Sequence, residues 1–130
     1  MAKKYKLIKV NIAAGEDIES GREFHEASVV IAVDGKQVKD AAIGNGMVDA
    51  AYKAIERALK IDVQVVHFSV QAIGDGSGAD GQVIVQIEDD GCIHEGVGRK
   101  SDIVTAGVYA FMDALNKKAQ FANTVMAHTI

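Results

Sequence analysis

The sequence repeats itself, and this repeat restricts the possible folds more than any other feature. Val29, Ile31 and Val33 alternate with Val30, Ala32 and Asp34, and 54 residues later Val83, Val85 and Ile87 alternate in the same way; Ile43-Gly44 likewise recurs as Val97-Gly98. One apolar helical stripe recurs with a spacing of 56: Val48, Tyr52, Ile55 and Leu59, then Val104, Val108, Phe111 and Leu115. A unit of this size cannot bury its apolar helix face alone, so we expect the two units to pack together.

The spacing changes in the turn before the helix. By this alignment Gly44-Asn45-Gly46 in the first half corresponds to the longer segment 98–101 in the second. The difference predicts that the two turns differ in function.

Each half contains three predicted strands followed by one helix. The strands are expected at 5–12, 27–33 and 37–43, and again at 66–71, 82–87 and 92–97. Asp34-Gly35 and Asp89-Asp90-Gly91 suit tight hairpin turns, and the polar segment 15–26 is the longest predicted loop. The helices are expected from about Met47 to Lys60 and from Ser101-Asp102 to about Lys118. The predicted fold class is therefore α+β: an internal repeat of two βββα units, each an antiparallel three-stranded sheet with one covering helix.

The same pattern predicts the domain organisation. Residues 1–118 form one domain with units at 5–60 and 63–118, and residues 119–130 form a C-terminal tail, because 121–130 lacks clear periodicity.

Composition excludes several classes of function. A net charge of −4 gives no electrostatic footprint for nucleic acid. The single cysteine, Cys92, rules out an internal disulfide framework and fits a reducing, cytoplasmic compartment. No apolar run approaches membrane-spanning length. We therefore expect a cytoplasmic protein without a nucleic-acid or membrane partner.

The residues do not indicate catalysis. No serine or cysteine has a recognisable nucleophile context, and no pair of carboxylates is placed by the sequence. Cys92 and His94 share one strand face, but two ligands are too few for a zinc site. We expect no catalytic residues, no metal and no cofactor.

Two glycine-rich segments are candidates for ligand binding. In 42–49 a strand, a Gly-x-Gly turn and a helix start follow one another; glycines let the backbone approach a ligand, and free amides at a helix start favour an anion. Four glycines in 74–81 make a loop that could close over a small ligand. A tight turn and a flexible hairpin loop, respectively, would also account for these glycines.

Several separated motifs, in order, resemble one known family. They are the segments 44–55, 69–73, 81–83, 96–98, 101–104 and 114–116. The chain resembles, from about Tyr5 to Lys118, the C-terminal regulatory domain of 2-isopropylmalate synthase, which citramalate synthase shares. The family usually has proline where this chain has Met47, and proline at the first helical position makes the helix start more rigid.

The resemblance implies a dimer that binds the end product of the pathway for feedback inhibition: leucine, or isoleucine in citramalate synthases. The parent enzymes are acyltransferases that condense acetyl-CoA with a 2-oxo acid on a metal-bearing (β/α)8 barrel. This chain contains neither that barrel nor its His-x-His motif. We therefore expect either the regulatory domain excised from such an enzyme, with the catalytic barrel as its partner, or a relative that stands alone.

The resemblance also implies which residues contact the effector. They are Gly44, Asn45, Gly46 and Asp49 in the turn, Val65, Phe68 and Ala72 on the strand, and Ala79 and Gly81 in the loop. Phe68 and Ala72 share strand parity and Val65 does not, so Val65 requires a bulge or a contribution from the second subunit. A structural dimerisation module without a ligand remains the alternative, and a βββα nucleic-acid binder is disfavoured by the acidic balance.

Overall fold

A computed structural model of the chain describes residues 3–74 and 80–128, with side chains up to residue 124 in the last helix. Its elements are β1 (Tyr5–Glu16), β2 (Glu23–Val33), β3 (Lys36–Gly44), α1 (Met47–Leu59), β4 (Gln64–Ile73), β5 (Asp80–Asp89), β6 (Cys92–Lys100) and α2 (Ile103–His128). They form two antiparallel three-stranded sheets, ordered β1-β2-β3 and β4-β5-β6, each followed by a helix. The predicted α+β class and the two βββα units are confirmed.

The chain divides into two compact units. The first is Lys6–Asp62, and the second begins at Val63 and includes Tyr5 at the other end of the chain. No helix in the described part of the chain is long and apolar enough to cross a membrane.

The core of the first unit lies between α1 and the strands β2 and β3. Alternate residues of β2 (Ala27, Val29 and Ile31) are at most 2% exposed, and the helix contributes Ala50, Ala51, Tyr52, Ala54 and Ile55. The alanines bring the helix close to the sheet, while each large aliphatic side chain buried here contributes about 1.5–3 kcal/mol to stability. Burial of the Tyr52 ring raises the pKa of its hydroxyl.

The core of the second unit lies between α2 and the strands β5 and β6. Its strand residues Val83, Val85 and Ile87 are fully buried, and Phe111 is the largest fully buried side chain among the described residues. A Cβ at Gly96 would collide with the carbonyl oxygen of Ala110, and a Cβ at Gly98 with that of Ala106. These two glycines therefore let α2 lie directly on the backbone of β6.

The strand register corrects the repeat that the sequence predicts. Ala27 pairs with Ala42 in the first sheet and Val83 with Gly98 in the second, so equivalent residues are 56 apart in the strands as well as in the helices. The predicted spacing of 54 for the strands is wrong, and so is the predicted longer turn in the second half. The physical reason is that alternation has a period of two, so a shift by two residues keeps every side chain on its face and leaves the pattern unchanged.

The ends of the elements differ from the predictions in two places. The predicted loop at 15–26 is shorter, because β1 continues to Glu16 and β2 begins at Glu23. The helix α2 continues to His128, so residues 119–128 are helical and the predicted helix end near Lys118 is wrong. By contrast α1 ends where the sequence predicts, at about Lys60. This residue adopts a left-handed conformation (φ 55°, ψ 46°), and the Ile61 amide donates a hydrogen bond to the carbonyl of Glu56 at 3.1 Å.

Candidate functional site

The start of α1 has no side chain that caps it. Gly46 is the N-cap residue with an extended backbone, and its carbonyl accepts the first helical hydrogen bond from the Ala50 amide at 2.9 Å. The amides of the first turn therefore have no acceptor within the helix, and no side-chain bond from Gly46 replaces one. A Cβ on Gly46 would meet no atom within 4 Å. The helix start thus presents amide donors beside open space, which suits an anion.

Asp49 fixes the shape of the turn that precedes α1. Its Oδ2 accepts a hydrogen bond from the Asn45 amide at 2.8 Å and lies 2.9 Å from the Lys53 ammonium. The Asn45 hydrogen bond, with Lys53 adding to it, lowers the pKa of the Asp49 carboxyl below its ordinary value of 3.8. A Cβ on Gly44 would overlap this carboxylate and the Ala50 backbone. Gly44, Asn45 and Asp49 therefore hold the turn together, and Gly46 is the member that faces open space.

The start of α2 is capped by its own carboxylate. Asp102 stands 56 residues after Gly46; its Oδ1 accepts from the Val104 amide at 3.2 Å and its Oδ2 from the Thr105 hydroxyl at 2.7 Å. The Thr105 hydroxyl is the main cause of a lowered pKa at Asp102. The second helix start therefore already has an anion, and the first does not.

A line of apolar side chains follows one face of β4. Val65 pairs with Ile87, Phe68 with Val85, Val70 with Val83 and Ala72 with Gly81, so all four β4 residues share the face on which the buried residues of β5 lie. We call these four residues the β4 stripe. A register shift between Val65 and His67 brings Val65 onto this face, so of the two explanations offered for Val65 a bulge is present. Val65, Phe68 and Val70 are 39%, 40% and 47% exposed.

The remaining predicted contacts are in or beside the glycine-rich loop. A Cβ on Gly81 would collide with the side chain of Ile103, so this glycine makes room for the first residue of α2. Ala79 lies outside the described residues.

The structure thus groups the predicted site residues by unit. In the first unit the predicted residues at the start of α1 are Gly44, Asn45, Gly46 and Asp49. In the second unit the predicted residues along β4 and β5 are Val65, Phe68, Ala72 and Gly81. Val70 lies on the same face of β4 and is not among the predicted contacts, although its alternation with Phe68 and Ala72 indicates this face.

A concavity elsewhere contains none of these residues. It has a volume of about 680 Å³ and lies on the first sheet, where Asn11, Ser28, Ala41 and Ile43 are among the lining residues. Volume alone does not indicate a binding site, and the amide donors of α1 are not part of this concavity.

The repeat of two βββα units, in which α2 has a side-chain cap and α1 has none, defines a small two-unit α+β domain. The LeuA allosteric (dimerisation) domain family matches residues 1–119, and the chain belongs to this family. The 2-isopropylmalate synthases of Paracidovorax citrulli and Acidovorax ebreus are each 40% identical to it over 116 residues, which is 89% of this chain and 22% of each relative. The 2-isopropylmalate synthase of Clostridium kluyveri is 43% identical over 91 residues, 70% of this chain and 18% of the relative. The chain therefore spans about a fifth of the length of the curated relatives it matches.

Proposed function

We propose that this chain is the leucine-binding, dimerising regulatory domain of a cytoplasmic 2-isopropylmalate synthase, and that leucine bound to it inhibits the enzyme by feedback. The catalytic barrel of that acyltransferase would lie outside this chain. Family membership supports the regulatory role. The proposal of an anionic ligand rests on the difference between the two helix starts: Gly46 leaves the start of α1 uncapped, whereas Asp102 caps α2.

The amide donors of α1 fit the carboxylate of an amino acid. The first-turn amides and the helix dipole favour a negative charge at this point, and Gly46 leaves the space for it. The Asp49 carboxylate is already bonded to Asn45 and Lys53, so it holds the turn in shape.

Val65, Phe68, Ala72, Ala79 and Gly81 stay proposed effector contacts on the strength of the family resemblance. The exposure of Val65 and Phe68 supports this assignment for the strand, because half-exposed apolar side chains are available to an aliphatic ligand. For Gly81 the contact with Ile103 gives a structural reason for glycine as well.

Calorimetric titration with leucine, isoleucine and valine tests the ligand. We expect leucine to bind most tightly, although one methyl position in an apolar pocket is worth only about 1–3 kcal/mol. Tighter binding of isoleucine would instead indicate the regulatory domain of a citramalate synthase. Three flat titrations would contradict effector binding and leave a structural dimerisation module, a function that the exposed β4 stripe favours.

A further inference from the structure

Asn116 holds the main chain of Tyr5 through both ends of its side-chain amide. Its Oδ1 accepts from the Tyr5 amide at 2.9 Å, and its Nδ2 donates to the Tyr5 carbonyl at 2.9 Å. Asn116 is 6% exposed and is the one buried polar residue in the part of the chain that the structure describes. Because both bonds are made to backbone groups, this amide acts as a neighbouring strand would and holds residue 5 whatever its side chain.

We call this pair of hydrogen bonds between Asn116 and Tyr5 the Asn116 clamp, and it has no counterpart in the first unit. The position 56 residues before Asn116 is Lys60, whose left-handed conformation ends α1. At Asn116 the helix continues, so a buried residue of α2 is available to reach Tyr5. The second helix therefore has a contact that its repeat partner cannot make.

The other end of the same helix touches a proposed effector contact. The Ile103 side chain occupies the space where a Cβ of Gly81 would lie. Ile103 and Asn116 are separated by thirteen residues of helix, about 20 Å at 1.5 Å per residue. Between them α2 is held by buried side chains, including Val108 and Phe111. Close-packed interiors have low compressibility and transmit strain, so a restraint on Ile103 can reach Asn116 through this helix.

We propose that α2 couples effector binding at Gly81 to the main chain at Tyr5, with Asn116 as the positioning residue. The coupling rests on the proposed function. Gly81 is buried beneath Ile103, whose own side chain is 37% exposed. Leucine bound beside Gly81 therefore contacts and restricts Ile103 and with it α2, so the hydrogen bonds between Asn116 and Tyr5 open less often. A ligand shifts such an equilibrium only by its difference in affinity for the closed and open clamp, and this difference is what the experiment measures.

Amide hydrogen exchange at Tyr5, measured by NMR on the full chain with and without leucine, tests the coupling. We expect leucine to slow this exchange. In Asn116→Leu, which removes both hydrogen bonds at similar size, the Tyr5 amide should exchange about tenfold faster or more, and leucine should still bind without slowing it. Asn123→Leu, an exposed site on the same helix, is the control and should behave as the unaltered chain.

Asn116→Asp separates hydrogen bonding from packing. Its ionised carboxylate can accept from the Tyr5 amide, but it cannot donate to the Tyr5 carbonyl and repels that oxygen, which favours separation of the two groups; the protonated acid can make both hydrogen bonds. Protection of Tyr5, corrected for the intrinsic rate of exchange, should therefore recover as the pH falls through the pKa of the introduced carboxyl group. This measurement remains informative if Asn116→Leu does not fold.

The possible failures are distinguishable. Leucine binding with unchanged exchange at Tyr5 would overturn the coupling and leave the proposed function standing. If leucine does not bind, the proposed function fails and the coupling fails with it. Protection of Tyr5 that is the same in Asn116→Asp at every pH would also overturn the role of Asn116.

Discussion

Gly46 and Asp102 occupy the same position in the two repeats, and only Asp102 caps the helix that follows it. Both residues precede the first turn, and both accept the first helical bond through their carbonyl, from Ala50 and from Ala106, at 2.9 Å. The backbone of the two helix starts is thus alike, and one side chain decides whether the amides are available. In the second repeat the Asp102 carboxylate accepts from an amide of the first turn, as is usual for an N-cap residue. The equivalent amides of α1 have no such acceptor, so they are available to an anionic ligand.

Gly46→Asp should stabilise the protein and abolish leucine binding. An aspartate at an N-cap position is more favourable than glycine by about 0.3 kcal/mol, and its carboxylate would bond to the amides that we assign to leucine. The extended backbone at Gly46 accommodates an L residue without strain. Urea unfolding and calorimetric titration of the same sample measure both effects. Retained leucine affinity in the variant would show that the effector does not use these amides.

Asp49 should make stability depend on pH at the acidic end of the range. Because the pKa of Asp49 is lowered in the folded state, its contribution is present above the ordinary value of 3.8 and is lost as the pH falls through the lowered value. Its side chain is 43% exposed, so we expect Asp49→Asn to cost less than about 1 kcal/mol at pH 7. Urea unfolding at pH 7 and at pH 3 should show this difference shrinking with acidity. A difference that grows with acidity would contradict the assigned bond to Asn45.

The sequence predicted the topology well because the relevant signals are local. The Asp-Gly turns specify hairpins, and the residues at both turns have the expected positive φ: Asp34 (φ 50°) and Gly35 (φ 86°) in the first, Asp90 (φ 50°) and Gly91 (φ 79°) in the second. The register of the repeat was not predictable from alternation alone, since a shift of two residues preserves the pattern. The turns themselves contained the missing information, because Asp34-Gly35 and Asp90-Gly91 are 56 residues apart.

The face of Val65 and the end of α2 were not predictable from periodicity. The bulge between Val65 and His67 is a property of pairing with β5, so parity along β4 alone placed Val65 on the wrong face. Helix α2 loses its apolar periodicity after Lys118 because residues 121–124 are exposed, yet nothing there interrupts a helix: the segment lacks glycine and proline. The exposed residues of an existing helix need not be periodic.

Phe68→Asp should weaken the dimer without unfolding the chain. Phe68 lies in the middle of the β4 stripe and is 40% exposed, so a charge there faces solvent in the monomer but would be buried by a partner. Gln71→Asp, on the opposite face of the same strand and exposed, is the matched control. Sedimentation velocity at micromolar concentration should show a monomer for Phe68→Asp and a dimer for the control. Equal sedimentation of the two variants would place the dimer interface elsewhere.

Gly98→Ala should destabilise the second unit. The added methyl group would collide with the Ala106 carbonyl of α2, and forcing a methyl group into a well-packed contact typically costs about 1–3 kcal/mol. Gly91→Ala would not be a clean comparison, since Gly91 has a positive φ of 79°. Ala42 marks the equivalent position in the first sheet, where a Cβ is tolerated, so Ala42→Gly serves as the control and should not produce the same collision. Chemical denaturation measures both; an unchanged midpoint for Gly98→Ala would mean that α2 can shift away from β6.

Gly46→Val should abolish leucine binding in a protein that remains folded and dimeric. The structure supports folding of this variant, because a Cβ at Gly46 meets no atom within 4 Å and the backbone there is extended. The valine side chain would instead occupy the space that the effector carboxylate needs beside the amides of α1.

The same change at Lys100, near the start of α2, is the control for Gly46→Val. Its ammonium lies 4.9 Å from the centre of the Tyr109 ring, an exposed contact worth about 0.5–1 kcal/mol, so Lys100→Val should alter stability slightly and leucine binding hardly at all. Calorimetric titration of both variants, with circular dichroism to verify folding, decides the matter: leucine affinity that is unaltered in folded Gly46→Val would exclude the start of α1 as the effector site.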